Sequence, residues 1–378
     1  MLTEIRLETK LSGGVIMSAE AQTKLVHRDN NFDFLRVTAA LLVIYGHSQA
    51  LLGIPYSRLW GTPISAMGVV IFFALSGYLV TESWQRDPRL RHFFLKRSLR
   101  IFPGLIVCVI ATACLLGPSV TRLSLSDYFS NPHFARYFTN IVLWTRYNLP
   151  AVFENNVYKH AVNGSLWSLP AEFFCYIAVG AMGLGHRRLH PVVVSAAALA
   201  VCLTGGYLML AYHGPQIVFY ATDVAQATSV MPFFMVGAVY CALKDRIPFR
   251  LDLALVLAFS LFAIEGLGLG LALLALSWVV IPYMVLAFGT QSTPVLRRFG
   301  RFGDLSYGLY LYSFPIQQLL VYVNKTAITP GSLTISTTLL AGTCAFASWH
   351  LIEKNALRLK PSSKPVLTLV ADRSNKAA

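Results

Sequence analysis

Ten apolar segments, each long enough to cross a lipid bilayer, follow one another along this chain of 378 residues. A spanning helix needs about 20 mostly apolar residues, and within the hydrocarbon only helices and closed barrels satisfy their backbone hydrogen bonds. Charged residues make up 13% of the chain, about half the share in soluble domains. The sequence therefore predicts an all-α, polytopic membrane protein. The predicted spans are 33–53, 64–83, 99–118, 164–184, 191–212, 226–243, 251–267, 269–289, 304–323 and 333–353.

The segments outside these ten spans define the expected domain organisation. A transmembrane domain is predicted over 32–356, between a polar N-terminal segment at 1–31 and a polar tail at 357–378. The N-terminal segment lacks the apolar core of a signal peptide, so the first helix is expected to remain as an anchor. No further domain is expected in this short tail. The stretch 134–148 is short and polar in places, so we predict that it is interfacial or re-entrant. No internal repeat is evident.

The loop charges predict the orientation in the membrane. If the N-terminus is cytoplasmic, the cytoplasmic segments carry 24 Lys and Arg residues and the opposite segments carry six. Positive residues concentrate in cytoplasmic loops, so both termini are predicted to lie in the cytoplasm, as in a multi-pass protein of the inner membrane. The net charge of +14 is explained by this distribution. The distribution of the basic residues therefore predicts that the chain interacts with a lipid bilayer and not with nucleic acid.

An arginine and a histidine in the first apolar segment are the first candidate functional residues. Arg36 and His47 are eleven positions apart, which places them on one helix face, within about 20° of each other and about 16 Å apart along the axis. Ionisable side chains inside a membrane are costly and usually functional. In the alternative interpretation, Arg36 snorkels to lipid phosphates and His47 is a core histidine. Asp33, one turn before Arg36, is expected to pair with it.

Two further arginines are expected to join Arg36 at the cytoplasmic side. Arg97 and Arg100 precede or begin the third predicted span, and arginine binds phosphate through two parallel hydrogen bonds. The alternative is ordinary positive flanking of a membrane helix. Glu82 and Glu353 end the second and tenth spans, where we expect structural pairs that neutralise this arginine cluster.

Glu172 is the carboxylate expected to act with His47. The two residues lie at similar predicted depths below the outer face, and a carboxylate there would hold the imidazole in one tautomer and stabilise its cation. The alternative is a structural hydrogen bond between helices.

Several other kinds of active site are not supported. The chain has no G-x-S-x-G, H-E-x-x-H, P-loop or H-x₄-D pattern, so common hydrolase, metalloprotease and nucleotide sites are not predicted. Its six cysteines lie in or beside apolar segments without a C-x-x-C pair. No metal site and no disulfide framework is predicted.

A series of motifs along the chain resembles one family of membrane proteins, the acyltransferase 3 family. The family pairs an arginine and a histidine, separated by ten residues, in its first helix, as Arg36 and His47 are here. Further similar segments are Phe72-Phe73-Ala74-Leu75-Ser76-Gly77-Tyr78, Arg97-Ser98-Leu99-Arg100-Ile101-Phe102-Pro103, Trp167-Ser168-Leu169 with Glu172, Ser306-Tyr307-Gly308-Leu309-Tyr310-Leu311 and Ile352-Glu353-Lys354. Two positions depart from the family pattern. The family often has a histidine where this chain has Ser313, and a proline where it has Asn355.

The resemblance implies a membrane O-acyltransferase that takes an acetyl group from cytoplasmic acetyl-CoA, with no permanently bound cofactor. The acceptor would be a carbohydrate or glycolipid, such as a surface polysaccharide, an exopolysaccharide or its lipid-linked precursor. Acylation of a secondary metabolite such as a macrolide, or non-catalytic glycan transport, are the alternatives. His47 and Glu172 are the candidate catalytic residues, and Arg36, Arg97 and Arg100 the candidate donor-binding residues. The candidate supporting or substrate-contacting residues are Asp33, Ser76, Tyr78, Trp167, Ser306, Tyr310 and Glu353.

Overall fold

A computed structural model of the protein describes residues 30–186, 189–324 and 328–361. A helix occupies each of the ten predicted positions, and seven described helices are long and apolar enough to cross a membrane. These seven are α1 (Phe32–Leu51), α2 (Ile64–Arg86), α3 (Leu90–Val120), α7 (Pro191–Leu210), α8 (Val224–Ala242), α10 (Gly270–Gly289) and α12 (Pro330–Arg358). The remaining three positions hold α6 (Ser168–Met182), α9 (Leu251–Gly266) and α11 (Ser306–Asn324). The predicted all-α, polytopic fold is confirmed.

The segment 134–148 does not form a spanning helix. Two short helices, α4 (Leu125–Ser130) and α5 (Pro132–Tyr137), are followed by one 3₁₀ segment at Phe138–Val142. Tyr128, on α4, is fully buried and donates a hydrogen bond to the Ala113 carbonyl of α3 at 2.8 Å. As expected, the described residues of this region form no helix long enough to cross a membrane; its interfacial or re-entrant placement stays a prediction. Most of 1–31 and of 357–378 lies outside the described residues, so the bounds of the three segments stay predictions.

Helix α3 begins nine residues earlier than the predicted span. Asp87 lies just before α3 and accepts hydrogen bonds from Arg89 at 2.6 Å and Lys96 at 2.7 Å. A carboxylate at a helix N-terminus interacts favourably with the helix dipole. The hydrogen bonds to Asp87, above all the one from Arg89, hold the pKa of its carboxyl well below the usual range. As a result, Arg97 and Arg100 lie inside a continuous helix, which directs both guanidinium groups toward the same cavity.

The chain contains a structural repeat that the sequence analysis missed. The unit is helix–hairpin–helix, and it occurs as α1 with α2 and again, 160 residues later, as α7 with α8. In the first hairpin, β1 (Arg58–Leu59) pairs antiparallel with β2 (Thr62–Pro63). The second hairpin, β3 (Val218–Phe219) with β4 (Thr222–Asp223), has the same register at the equivalent positions. Both turns also have equivalent residues of positive φ, Trp60 and Tyr220.

The two repeats meet through reciprocal contacts between α2 and α8. A Cβ added at Gly77 would overlap the Phe234 carbonyl, and one added at Gly237 would overlap the Ala74 carbonyl. Each glycine is 13 residues into its helix, and each carbonyl belongs to the tenth residue after the helix start. Gly77 and Gly237 are thus equivalent positions, and so are Ala74 and Phe234. Each glycine contacts the carbonyl of the other repeat, which is the reciprocal pattern of a two-fold interface. Close approach of glycine-bearing helices is common in membranes.

The remaining helices surround this central pair. α1 packs against α2, α11 and α12, while α8 packs against α7 and α10. α12 contains a π-helical turn at Trp349–Glu353, and such turns inside α-helices re-aim the side chains that they carry. Here the turn places Glu353 against α3, beside Gly104.

Candidate active site

An inner pocket lies between α1, α2, α3, α6 and α11. It has a volume of about 120 Å³. Its apolar wall comes mainly from phenylalanine, leucine and valine side chains of α2. The structure thus brings together seven of the residues singled out from the sequence. These are Arg36, Ser76, Arg97, Arg100, Glu172, Ser306 and Tyr310.

A second cavity, the basic mouth, adjoins the inner pocket at the end of the bundle that is predicted to be cytoplasmic. It has a volume of about 410 Å³ and shares Arg36, Arg97 and Arg100 with the inner pocket. Lys96, Arg86 and Lys360 add three more positive side chains to its lining. Asp304 is the one acid among its lining residues. The predicted clustering of the three arginines is confirmed.

Asp304 is a site residue that the sequence analysis did not single out. Its Oδ2 lies 2.5 Å from the Arg100 guanidinium and 3.6 Å from that of Arg36, while Oδ1 accepts a hydrogen bond from Ser306 Oγ at 2.5 Å. Burial alone would raise the pKa of Asp304, but the charges of Arg100 and Arg36 hold it well below its usual range. Asp33 pairs with Arg36 at 2.7 Å, as predicted. Two carboxylates therefore orient the Arg36 side chain.

Lys360 was also missed, because the sequence analysis assigned it to the tail. It follows the last turn of α12 and lines the basic mouth. Burial, and then the positive charges of Arg100 and Arg97, lower the pKa of Lys360 to about 8. No pattern around Lys360 marks it in the sequence, since the charged groups that act on it, among them Arg36, Arg97 and Arg100, are far from it along the chain.

Glu172 does not contact His47 in this structure, and the predicted hydrogen bond between them is wrong. Glu172 Oε1 accepts hydrogen bonds from Ser76 Oγ and from Tyr176 Oη, each at 2.6 Å. Tyr176 is one turn after Glu172 on α6, and Ser76 lies on the facing side of α2. Glu172 lines the inner pocket, whereas His47 lines a different one. Similar depth along two helices did not bring the two side chains to one face.

His47 opens onto an outer pocket at the other end of the bundle. This pocket has a volume of about 670 Å³, and Trp167 also lines it. The His47 ring packs edge-on against Phe314, with centroids 5.1 Å apart. Its Nδ1 atom is buried, and no described group forms a hydrogen bond with it. The imidazole is thus held by packing.

Three tyrosines from separate segments complete the aromatic lining of the outer pocket: Tyr56, Tyr147 and Tyr158. Burial raises the pKa of Tyr147 to about 12 and also raises that of Tyr158. Both phenols are therefore neutral and able to donate hydrogen bonds near pH 7. Lys159 and His160 lie at the exposed rim of the same pocket.

The inner and outer pockets approach each other at Val69, which lines both. Tyr310 lies on the inner side of this partition. Its hydroxyl is 2.5 Å from Ser168 Oγ and donates to the Ser165 carbonyl at 2.6 Å. Ser168 lines the inner pocket and its neighbour Trp167 lines the outer one. The start of α6 therefore separates two cavities that enter the bundle from opposite ends.

Neither pocket is lined by Tyr78, a candidate supporting residue, or by Glu82 and Glu353, the two acids expected to form structural pairs. Tyr78 is buried in the core, where its ring packs against Phe32 and Phe249 with centroids 6.3 and 6.1 Å away. Its predicted contact with a substrate is not supported, because its side chain belongs to the packing between helices. Glu82 pairs with Arg86 at 2.7 Å and with Lys244 at 3.8 Å, as expected of a structural pair.

Glu353 lies behind the arginine cluster. It is buried, and its Oε1 accepts a hydrogen bond from Ser348 at 2.7 Å, while Oε2 has no partner in the described structure. The negative charge of Glu353 acts on Arg100, although no ion-pair contact forms between the two in the described part of the chain. The expectation that Glu353 neutralises the cluster therefore holds through space rather than by direct pairing. Among the described residues, no group of His, Cys, Asp or Glu is arranged to hold a metal ion.

The fold and the site define a polytopic helical membrane protein with a cationic cavity on one side and a histidine-bearing aromatic cavity on the other. The family model described as an acyltransferase domain, acyltransferase 3, matches residues 29–352. The chain belongs to this family and is an acyltransferase, as its motifs predicted. No solved structure matches the chain.

Three named relatives are similar over long stretches. The O-acetyl transferase of Shigella phage Sf6 is 28% identical over 348 residues, covering 91% of this chain and 100% of the phage protein. Nodulation protein 10 of Rhizobium leguminosarum bv. viciae is 29% identical over 366 residues, covering 89% of this chain and 95% of the relative. The peptidoglycan O-acetyltransferase OatA of Listeria monocytogenes is 26% identical over 297 residues, covering 66% of this chain but 44% of OatA.

Proposed function

We propose that this acyltransferase moves an acetyl group from acetyl-CoA at the inner pocket to a hydroxyl of a surface glycan, or of its lipid-linked precursor, at the outer pocket. The observation that carries the proposal is that the inner pocket, which adjoins the basic mouth, and the outer pocket, which contains His47, enter the bundle from opposite ends and approach each other at Val69. We place the protein in the inner membrane with both termini in the cytoplasm, on the charge distribution of its loops.

The basic mouth suits the nucleotide end of acetyl-CoA. Six positive side chains face one acid there, and the phosphates of CoA are the anionic groups that such a cluster would bind. Arg36 and Arg100 are already oriented by Asp304, so less side-chain freedom is lost when a phosphate binds. The narrow inner pocket would then take the pantetheine arm. There Glu172 Oε2, which accepts no hydrogen bond from the described residues, is free to accept one from an amide N–H of that arm.

The outer pocket suits a sugar. Tyr56, Tyr147, Tyr158 and Trp167 offer apolar ring faces beside polar groups, which is the composition expected where an amphipathic ligand must be both stacked and hydrogen-bonded. Two of the relatives carry names that specify O-acetyl transfer, and one of these names peptidoglycan as acceptor. These names support a glycan acceptor for this chain.

His47 is the group that we place at the reaction centre. In direct transfer, neutral His47 takes the proton of the acceptor hydroxyl while the hydroxyl oxygen attacks the thioester carbonyl. The C–O bond forms, the C–S bond breaks, and the CoA thiolate takes the proton from the imidazolium. In the covalent route, a nitrogen of His47 attacks the thioester carbonyl; the N–C bond forms, the C–S bond breaks, and CoA leaves as the thiol with the imidazole proton. The acceptor oxygen then attacks the acetyl group; the C–O bond forms, the N–C bond breaks, and the hydroxyl proton passes to the released imidazole. Both routes begin with neutral imidazole, which a buried, apolar setting favours.

The proposal is tested by mass spectrometry of surface glycan from a strain that lacks the gene. We expect loss of one class of acetyl ester, restored by the wild-type gene and not by a His47→Ala variant that is produced at equal level. An unchanged acetyl content would contradict the glycan acceptor. A purified protein in lipid nanodiscs that binds acetyl-CoA without releasing CoA in the presence of this glycan would contradict acetyl transfer altogether.

A further inference from the structure

Two adjacent glutamines in α11 hold two different elements that surround His47. Gln317 and Gln318 are both completely buried, with 0% exposure. The Gln317 side chain points to α1, and the Gln318 side chain points to the segment Asn156–Ala161 at the rim of the outer pocket. Buried amides in a membrane helix are costly unless hydrogen-bonded, so their presence at neighbouring positions calls for a physical reason.

Gln317 binds the turn of α1 that carries His47. Its Nε2 donates to the Ile44 carbonyl and to Ser48 Oγ, each at 2.8 Å. Ser48 is the neighbour of His47 and also accepts a hydrogen bond from Thr334 of α12 at 2.9 Å. Three helices therefore meet at the residue beside His47, and Gln317 is the link from α11.

Gln318 holds the rim segment at both of its ends. Its Nε2 donates to the carbonyls of Tyr158 at 2.9 Å and Ala161 at 2.6 Å. Asn156 in turn donates to the Gln318 side-chain oxygen at 2.7 Å and to its backbone carbonyl at 2.9 Å. A segment without regular secondary structure is thereby fixed through four hydrogen bonds to one residue. This segment carries Tyr158, Lys159 and His160 into the outer pocket.

Phe314, one turn before the glutamines on α11, contacts both elements. Its ring centroid is 5.1 Å from that of His47 and 6.0 Å from that of Tyr158. The same helix thus contacts the imidazole and the rim segment through Phe314, and anchors their backbones through Gln317 and Gln318. The distance between His47 and the rim segment is set by this one stretch of α11.

We propose that Gln317 and Gln318 are positioning residues: Gln317 orients His47 for the chemical step, and Gln318 holds the rim segment that binds the acceptor. This inference rests on the proposed function, because it assigns the outer pocket to the acceptor. Neither glutamine touches the reacting atoms. Misplacement of a reacting group by about 1 Å is able to cost two orders of magnitude in rate, so two buried anchors have large leverage.

The test compares Gln317→Met, Gln318→Met and a control, Gln291→Met, in nanodiscs. Methionine keeps the length of the side chain and removes its hydrogen bonds. Gln291 donates to the Ala287 carbonyl at 3.1 Å near the other end of the bundle. The acceptor is surface polysaccharide isolated from the deletion strain and freed of its O-acetyl groups by mild base.

We expect the two glutamine variants to change different kinetic constants. Gln317→Met should lower kcat about tenfold and leave the acceptor KM within about threefold, because the loss of one or two buried hydrogen bonds displaces His47. Gln318→Met should raise the acceptor KM about tenfold or more with a smaller change in kcat. Asn156→Ala, which frees the other end of the segment, should reproduce the KM effect if Gln318→Met is poorly produced. Acetyl-CoA affinity should be unchanged in all of them.

Hydrogen–deuterium exchange of the peptide containing 156–161 gives a measurement that does not depend on the acceptor. We expect faster exchange in Gln318→Met and wild-type exchange in Gln317→Met. Equal exchange in all variants, or kinetic changes of the same kind in both glutamine variants, would overturn the positioning roles. Failure of the wild-type protein to acetylate the polysaccharide would instead contradict the proposed function, while the exchange experiment would still test the Gln318 anchor.

Discussion

Arg36 and His47 lie on one face of a single helix, yet they open onto different pockets. Arg36 lines the inner pocket and the basic mouth, whereas His47 lines the outer pocket. The three helical turns between them, about 16 Å, span the partition at Val69. One helix thereby connects the site proposed for the donor phosphates with the site proposed for the acceptor hydroxyl.

Arginine substitutions should separate charge from geometry in donor binding. Arg100→Ala removes a guanidinium that Asp304 holds at 2.5 Å, and we expect acetyl-CoA affinity to fall by one to two orders of magnitude, as for a lost charge-assisted hydrogen bond. Arg36→Lys keeps the charge but loses the planar fork, so a smaller loss is expected. Calorimetry on purified protein measures both. Wild-type affinity in both variants would remove the phosphate site.

His47→Ala should abolish transfer while donor binding persists. A positioned base contributes about 10² to 10⁴ in rate, and the residues proposed to bind phosphate line the basic mouth, at the opposite end of the bundle from the outer pocket. Acetyl-CoA affinity is therefore expected to stay within about threefold of wild type. The rate of acetyl transfer is measured as the release of CoA. A variant that keeps more than about a tenth of the wild-type rate would show that His47 is neither base nor relay.

Glu172→Gln should act on the donor rather than on His47. In the structure Glu172 bonds to Ser76 and Tyr176 within the inner pocket, so its loss of charge alters the proposed pantetheine contact. We expect the KM for acetyl-CoA to rise several-fold, with kcat changed less. The matched control is Tyr176→Phe, which removes one hydrogen bond to the same Glu172 oxygen and leaves the charge of the carboxylate unchanged. A fall in kcat alone, with KM unchanged, would restore a direct role with the histidine.

Donor affinity should fall as the pH rises through about 8. The pKa of Lys360 is lowered to about 8 by burial and neighbouring arginines; the side chain is thus charged below that pH and neutral above it. CoA phosphates are already fully ionised above pH 7, so the loss of the lysine charge weakens attraction to them. We expect the Kd of the free protein for acetyl-CoA to rise several-fold between pH 7 and 9. Lys360→Arg, which stays charged, should remove most of this step.

The glycines between the repeats should tolerate no side chain. A Cβ at Gly77 or Gly237 would overlap a backbone carbonyl of the facing helix, and a backbone atom cannot rotate away as a side chain does. Gly77→Ala and Gly237→Ala should each lower the melting temperature in detergent by several degrees, or prevent purification of a monodisperse protein. Gly342→Ala, with no atom within 4 Å of the added Cβ, is the matched control and should melt at or above the wild-type temperature.

Features that depend on local sequence were predicted well. The helices, the non-spanning segment 134–148, the pairing of Asp33 with Arg36 and the grouping of three arginines follow from hydropathy and helical spacing. These properties arise from neighbours along the chain, because burial in lipid and the 3.6-residue period act on each segment separately. The family motifs then indicated the same residues.

The features that were missed, or predicted wrongly, depend on how helices rotate and pack against one another. Depth along a helix placed Glu172 near His47, but the rotation of α6 turns Glu172 toward Ser76. The repeat escaped detection because few side chains recur, although the backbones and the Gly77 and Gly237 contacts do.

Hydropathy, helical spacing and motif order were enough to predict a polytopic helical acyltransferase with a histidine and an arginine on one helix face, since these properties need only the order of residues along the chain. The surroundings of that pair became visible in the folded protein: Asp304 and Lys360 lie in the basic mouth, and Gln317 and Gln318 lie around the outer pocket. Each of these residues lies far along the chain from the group that it contacts. Helix rotation and crossing angle, set by side-chain packing, are what bring them together.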